Sequence, residues 1–138
     1  GVRALGVDAG RIRIVPNWTH VQGPTADRAA TRARLGWPEG TPVVLHSGNM
    51  GLKQGLDVLV DTARLAPDVR VVLMGDGNQR EALWARAEGL ANVDFLEPAS
   101  AEEFTDVLAA ADVLAVTQRA SVLDMSVPSK LTSYFTSG

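Results

Sequence analysis

Thirteen basic residues lie in this 138-residue chain, and only two of them are lysines, Lys53 and Lys130. A compact ammonium meets a phosphate as a point charge, whereas arginine more often serves planar, bidentate pairing. Lys53 sits in the run Val43-Val-Leu-His-Ser-Gly-Asn-Met-Gly-Leu-Lys-Gln-Gly-Leu56, a short apolar stretch, then glycines, then a helical apolar pattern. That order predicts a buried strand, a tight loop and a helix start. Gly48, Gly51 and Gly55 let backbone N–H groups approach a ligand, the helix start adds partial positive charge and Lys53 a full one, which together suit a phosphate or diphosphate. The plainer alternative for Gly48 and Gly51 is a tight turn between strand and helix. Their company with Lys53 favours the anion.

The flanking pattern shows what must hold these residues. Arg11–Pro16 alternates charged and apolar residues and predicts a short lead-in strand, and Thr25–Leu35 a short helix with Thr25 as its cap and Gly36 at its end. Pro42–Ser47 is the first core strand. In the helix after it Leu56, Leu59, Val60 and Ala63 fall on one face, and Pro67-Asp68 stops it. Val69–Met74 repeats the plan as a second strand, followed by the turn Gly75-Asp76-Gly77 and a helix to about Gly89 with a capping box at Asn78 and Glu81. Val93–Leu96 is strand three. Ser100 and Glu103 cap a helix striped by Phe104, Val107, Leu108 and Ala111, and Val113–Val116 is strand four. Pro128 opens a last helix with Leu131, Tyr134 and Phe135 turned inward, and Gly138 stands at a C-cap position.

Alternating strands and helices with largely apolar, buried strands predict an α/β fold, a doubly wound Rossmann-like parallel sheet with helices on both faces. In the common 3-2-1-4 order the reversal lies between strands one and four, and ligands bind beyond the carboxyl ends there. The loops carrying Lys53 and Lys130 should therefore meet over one crevice.

Composition bounds the partners. The length suits one domain, and 46% hydrophobic with 21% charged residues suits a folded globule. A net charge of −3 gives no reason to expect nucleic acid or an anionic membrane surface. The chain has no cysteine, which removes disulfides, thiolate metal sites and a cysteine nucleophile. Two histidines make no zinc site, and the serines from Ser121 to Ser129 have no Ser-His-Asp logic around them. No apolar run approaches the roughly 20 residues of a membrane span, and no signal peptide is read at the start, so the expected compartment is the cytoplasm.

Five segments in order, Gly48 to Lys53-Gln-Gly55, Val72-Leu-Met-Gly-Asp-Gly77, Asn92-Val-Asp-Phe-Leu96, Ala110-Ala-Asp-Val113 and Pro128-Ser-Lys-Leu131, resemble the donor-binding half of a GT-B glycosyltransferase of the GT4 type. They are most similar to enzymes of bacterial exopolysaccharide assembly. Val15-Pro-Asn17 resembles the lead from the acceptor domain, so residues 1–24 are expected as an interdomain lead-in and 25–138 as a partial donor domain. The resemblance implies a transferase that moves a sugar from a UDP- or GDP-sugar to an acceptor in polysaccharide or glycolipid assembly, with no cofactor or obligatory metal.

It also implies roles. Lys53 would contact the donor diphosphate and stabilise charge growing on the leaving group. Asn49 stands where the family usually has an arginine, so the second cation must come from another arginine or from Lys130. Gly75-Asp76-Gly77 matches a turn near the nucleotide, Glu97-Pro98-Ala99 the loop beside the base, and Ser126, Pro128, Ser129 and Lys130 the loop and helix start that offer amides to phosphates. The family's two glutamates fall near Met125 and Ser133. Asp124 is one position off the first, and Ser133 could donate to a ribose hydroxyl. The family fold further implies an acceptor domain before this segment and more strands after it. The chain alone is then expected to be inactive, and membrane association would come only through the absent domain.

Other residues carry plainer alternatives. His46 reads as a buried, hydrogen-bonded core residue whose place near a strand's carboxyl end also lets it border the site. Asp76 and Glu97 read equally as solvent residues. Trp18, Trp37 and Trp84 read as packing, and His20 as a surface loop residue. A second function class is a nucleotide or dinucleotide binder with Asp76 as the ribose acid, or a sugar-nucleotide epimerase half. Against it, Gly-x-Gly-x-x-Gly is absent after strand one.

Overall fold

The computed structural model describes residues 6, 8–13, 23–120 and 130–137. Four strands, β1 (Val43–Ser47), β2 (Arg70–Met74), β3 (Val93–Leu96) and β4 (Val113–Leu114), form one parallel sheet in the order β3-β2-β1-β4. That is the expected order, with the reversal between β1 and β4. Five α-helices among the described residues accompany them: α1 (Arg28–Leu35), α2 (Asp57–Leu65), α3 (Arg80–Arg86), α4 (Phe104–Ala110) and α5 (Lys130–Thr136).

Alternation along the central strands sorts side chains to two cores. Val43 and Leu45 of β1 and Val72 and Met74 of β2 join Trp37, Val107, Leu108, Ala110 and Tyr134 on one face. Val71 and Leu73 join Met50, Leu56, Leu59, Val60, Ala63, Leu83 and Ala87 on the other. Helices thus cover both faces, and each fully buried leucine or valine contributes about 1.5–3 kcal/mol. The predicted stripe of the helix after β1 is the buried one.

Several local expectations give way to tertiary contacts. Asp27, not Thr25, caps α1, its carboxylate accepting the Ala30 N–H at 3.0 Å. Thr25 is drawn away, donating its N–H to Asp106 of α4 at 2.6 Å. The Asn78–Glu81 box does not form. Gln79 precedes α3 without a side-chain cap, because its N–H is spent on the Met50 carbonyl at 2.9 Å. Ser100 does meet Glu103, accepting its N–H at 3.3 Å and donating to its carboxylate at 3.1 Å.

β4 is shorter than predicted. After the Ala115 N–H reaches Leu45, the chain leaves the ladder so that the Thr117 hydroxyl can donate to Gln54 and the Arg119 N–H to Lys53. In α5, Tyr134 is buried but Phe135 is 82% exposed, contrary to the expected inward turn. With Tyr134 and the half-buried Leu131 three apart on the inner face, the next residue points about 100° away. Residues Ala9–Arg11 form a 3-10 turn where the lead-in strand was expected to begin. Ile12 and Arg13 continue it without strand structure, contrary to that expectation, and residues 14–16, Trp18, His20, 121–129 and Gly138 lie outside the described residues.

Candidate functional site

The carboxyl ends of β1 and β2 continue as two loops laced by backbone bonds. The Gly48 N–H donates to Met74 at 2.9 Å, and the Met50 N–H to Asp76 at 2.8 Å. Gly75, at φ +136°, lies so close that a Cβ there would overrun the Gly48 carbonyl. Only glycine permits that conformation together with that approach. Asn49, where a cation was expected, fills the space between the two turns, since a Cβ at Gly51 or Gly77 would come within 2.8 or 2.7 Å of its side-chain amide. Asp76 is exposed and accepts the Gly77 N–H at 2.7 Å.

Over Gly48 arrives the second lysine. The Lys130 ammonium lies 3.5 Å from where a Gly48 Cβ would stand and 3.5 Å from His46 Nε2. α5 is anchored beside it, because the Tyr134 hydroxyl accepts the Ser47 N–H at 2.9 Å. Burial lowers the Lys130 pKa. His46 is fully buried, and burial together with the Lys130 charge lowers its pKa to about 4, so the ring is neutral near pH 7. Its Nδ1 has no hydrogen-bond partner among the described residues.

Lys53 is exposed on a one-turn 3-10 helix, Leu52–Gln54. The loop after β4 clamps this turn: the Arg119 N–H donates to the Lys53 carbonyl at 2.9 Å, its Nε to Leu52 at 2.9 Å, and its guanidinium pairs with Asp57 at 3.0 Å. The loops after β1 and β4 thus converge as the sheet order requires. Glu97 and Pro98 are exposed beyond β3, with Glu97 paired to Arg80, and Ser133 lies half-buried in α5. Ser126, Pro128 and Ser129 lie outside the described residues.

Every ion pair among the described residues uses an arginine. Lys53 and Lys130 are in none, so their charge is available to a ligand. A cavity of about 880 Å³ lies elsewhere, at the amino ends of β1 and β4, lined by Arg28, Arg32, Trp37 and Asp112. Arg28, Arg32 and Asp112 already satisfy one another, so size alone is a poor guide. Sequence reasoning did not foresee the Arg119 clamp or the His46–Lys130 contact. The position of His46 two residues before Gly48 was the signal for the latter.

Comparison with known proteins decides the family. The family model described as glycosyl transferases group 1 matches residues 27–123. The chain belongs to that family. This group 1 chain is 31% identical over 141 aligned positions to WcaI of Escherichia coli K12, named as a colanic acid biosynthesis glycosyl transferase, covering 96% of the chain and 35% of WcaI. It is 33% identical to a D-inositol 3-phosphate glycosyltransferase of Xylanimonas cellulosilytica, over 83% of the chain and 31% of that protein. Its fold matches WaaG, a glycosyltransferase of lipopolysaccharide biosynthesis, with TM-score 0.68 at 20% identity, covering 95% of the chain and 37% of WaaG. The GT-B likeness expected from the motifs is therefore present in the fold. The chain spans about a third of the length of these curated relatives.

Proposed function

We propose that this chain is the donor-binding part of a glycosyltransferase and that the lip formed by Gly48–Lys53, Gly75–Gly77 and the start of α5 holds the diphosphate of a UDP- or GDP-sugar. The observation that carries this is the arrival of Lys130 over Gly48 while Lys53 stands exposed in the loop that Gly48 opens, two ammonium groups at the sheet's reversal with no ion pair among the described residues. Lys53 acts in catalysis by meeting the charge that grows on the departing nucleoside diphosphate. Lys130 takes the place of the second cation that Asn49 does not supply. The loop amides and Ser126, Pro128 and Ser129 meet the phosphates, Asp76 and Gly77 border the nucleotide, Glu97 and Pro98 the base, and Ser133 a ribose hydroxyl. With two cations and amides on the diphosphate, no metal is obligatory.

The acceptor binds in a further domain, and the product is a polysaccharide or glycolipid assembled on the cytoplasmic side of a membrane. Relatives named for colanic acid and lipopolysaccharide biosynthesis support that assignment. No helix among the described residues is long and apolar enough to cross a membrane. Isothermal titration of UDP, GDP and NAD into the complete protein in the presence of a chelator tests the proposal. One of the two nucleoside diphosphates should bind and NAD should not. A preference for NAD, or binding that vanishes with the chelator, would overturn it.

A further inference from the structure

His46 has a polar ring where the pattern of β1 calls for valine or leucine, and it is wholly buried. Burying an imidazole costs more than burying an isoleucine unless the ring has polar work to do. Its side-chain polar partner among the described residues is the Lys130 ammonium, 84 residues on, and the backbone of Asn49 and Ala115 also acts on the ring. Lys130 for its part is half-buried, so it needs a partner that does not cancel its charge. A carboxylate at position 46 would form an ion pair and neutralise the cation. A neutral imidazole accepts one ammonium hydrogen through Nε2 and leaves the net charge in place. The ring also stands two residues before Gly48, whose exposed backbone faces the same ammonium.

Resting on the donor-site assignment above, we infer that His46 is a positioning residue: it holds the Lys130 ammonium over the Gly48 turn, ready for the diphosphate, without neutralising it. The ring stays uncharged near pH 7 through burial and the neighbouring cation. A protonated ring would repel Lys130.

The test uses the complete protein, titrated with the nucleoside diphosphate that it binds and with the matching nucleoside. Lys130→Met should weaken diphosphate binding about tenfold and leave the nucleoside within about twofold. His46→Leu, similar in bulk, should reproduce about fivefold or more of that loss on the diphosphate alone. The double variant should bind no worse than Lys130→Met, because the second change removes only what the first already lost. His46→Gln, which keeps an acceptor near the Nε2 position, should recover affinity to within about twofold of wild type. Wild-type affinity in His46→Leu, losses that multiply in the double variant, or an equal loss on the nucleoside would each overturn the role of His46 while leaving the donor site standing. A wild-type protein that binds neither nucleoside diphosphate would overturn both.

Discussion

At the amino ends of β1 and β4, Arg32 is almost wholly enclosed and gives its guanidinium to the carbonyls of Ala110, Pro38 and Thr41 and to Asp112. Arg28 and the Val43 N–H take up the rest of that carboxylate. At the carboxyl ends of the same strands, two ammonium groups have no carboxylate and a buried imidazole nitrogen no hydrogen-bond partner among the described residues, and two glycine loops touch backbone to backbone. The first end is roomy and its Arg28, Arg32 and Asp112 charges are paired, while Trp37 Nε1 there has no partner among the described residues. The second holds the charge of two lysines that no carboxylate among the described residues takes up. Paired charges stabilise a fold, because a buried cation with its hydrogen bonds made is not left uncompensated. Spare charge does little for stability and is what a diphosphate can use. The contrast explains why the cavity of about 880 Å³ is the weaker candidate.

The largest test of this contrast is Gly75→Ala. Its φ of +136° is foreign to alanine, and the new methyl would overrun the Gly48 carbonyl. We expect a loss of about 5 kcal/mol in urea unfolding of the complete protein. Gly40, at the opposite end, has φ +82° with open space around its Cβ position, so Gly40→Ala should cost only about 1 kcal/mol. Equal losses at the two glycines would mean that the loops at the lip are not in contact. Next is Arg32→Met, which strips three carbonyls and Asp112 of a buried partner and should cost about 3 kcal/mol. Diphosphate affinity should stay within about twofold of wild type. A tenfold loss of affinity in a folded Arg32→Met protein would make that end part of the site.

Much of this division was readable in the chain, and what was not has a physical cause. Strand β3 was legible to the residue from the turn residues that bound it, the strand order from the common doubly wound plan, and β1 and β2 as apolar runs because central parallel strands are buried. The helix stripe of Leu56, Leu59, Val60 and Ala63 was legible for the same reason. The caps were not. Asp27 displaced Thr25 because Asp106, 81 residues away, claims the threonine, and the Asn78 box lost to a bond between Gln79 and Met50. Phe135 was misplaced because an apolar residue adjacent to the inner face carries no sign of which way it turns. Within the site, the rarity of lysine pointed to Lys53 and Lys130. The ring that touches Lys130 lies 84 residues before it, and no local pattern joins the two.

Lys53 offers the smallest effect on stability and the most direct reading of the lip. Its side chain is exposed, and it has no ion pair among the described residues, while the turn beneath it is held through its backbone carbonyl by Arg119. Lys53→Met should therefore leave the unfolding free energy within about 0.5 kcal/mol of wild type. In the complete protein it should weaken nucleoside diphosphate binding about tenfold, since a cation is lost where the anion docks. The transfer rate should fall further than the binding does, because charge on the diphosphate grows as the sugar departs and Lys53 meets it best at that moment. Equal losses in binding and rate would mean that Lys53 holds the donor without assisting its departure. No loss in either would place the diphosphate away from this turn and leave Lys130 as the cation that receives it.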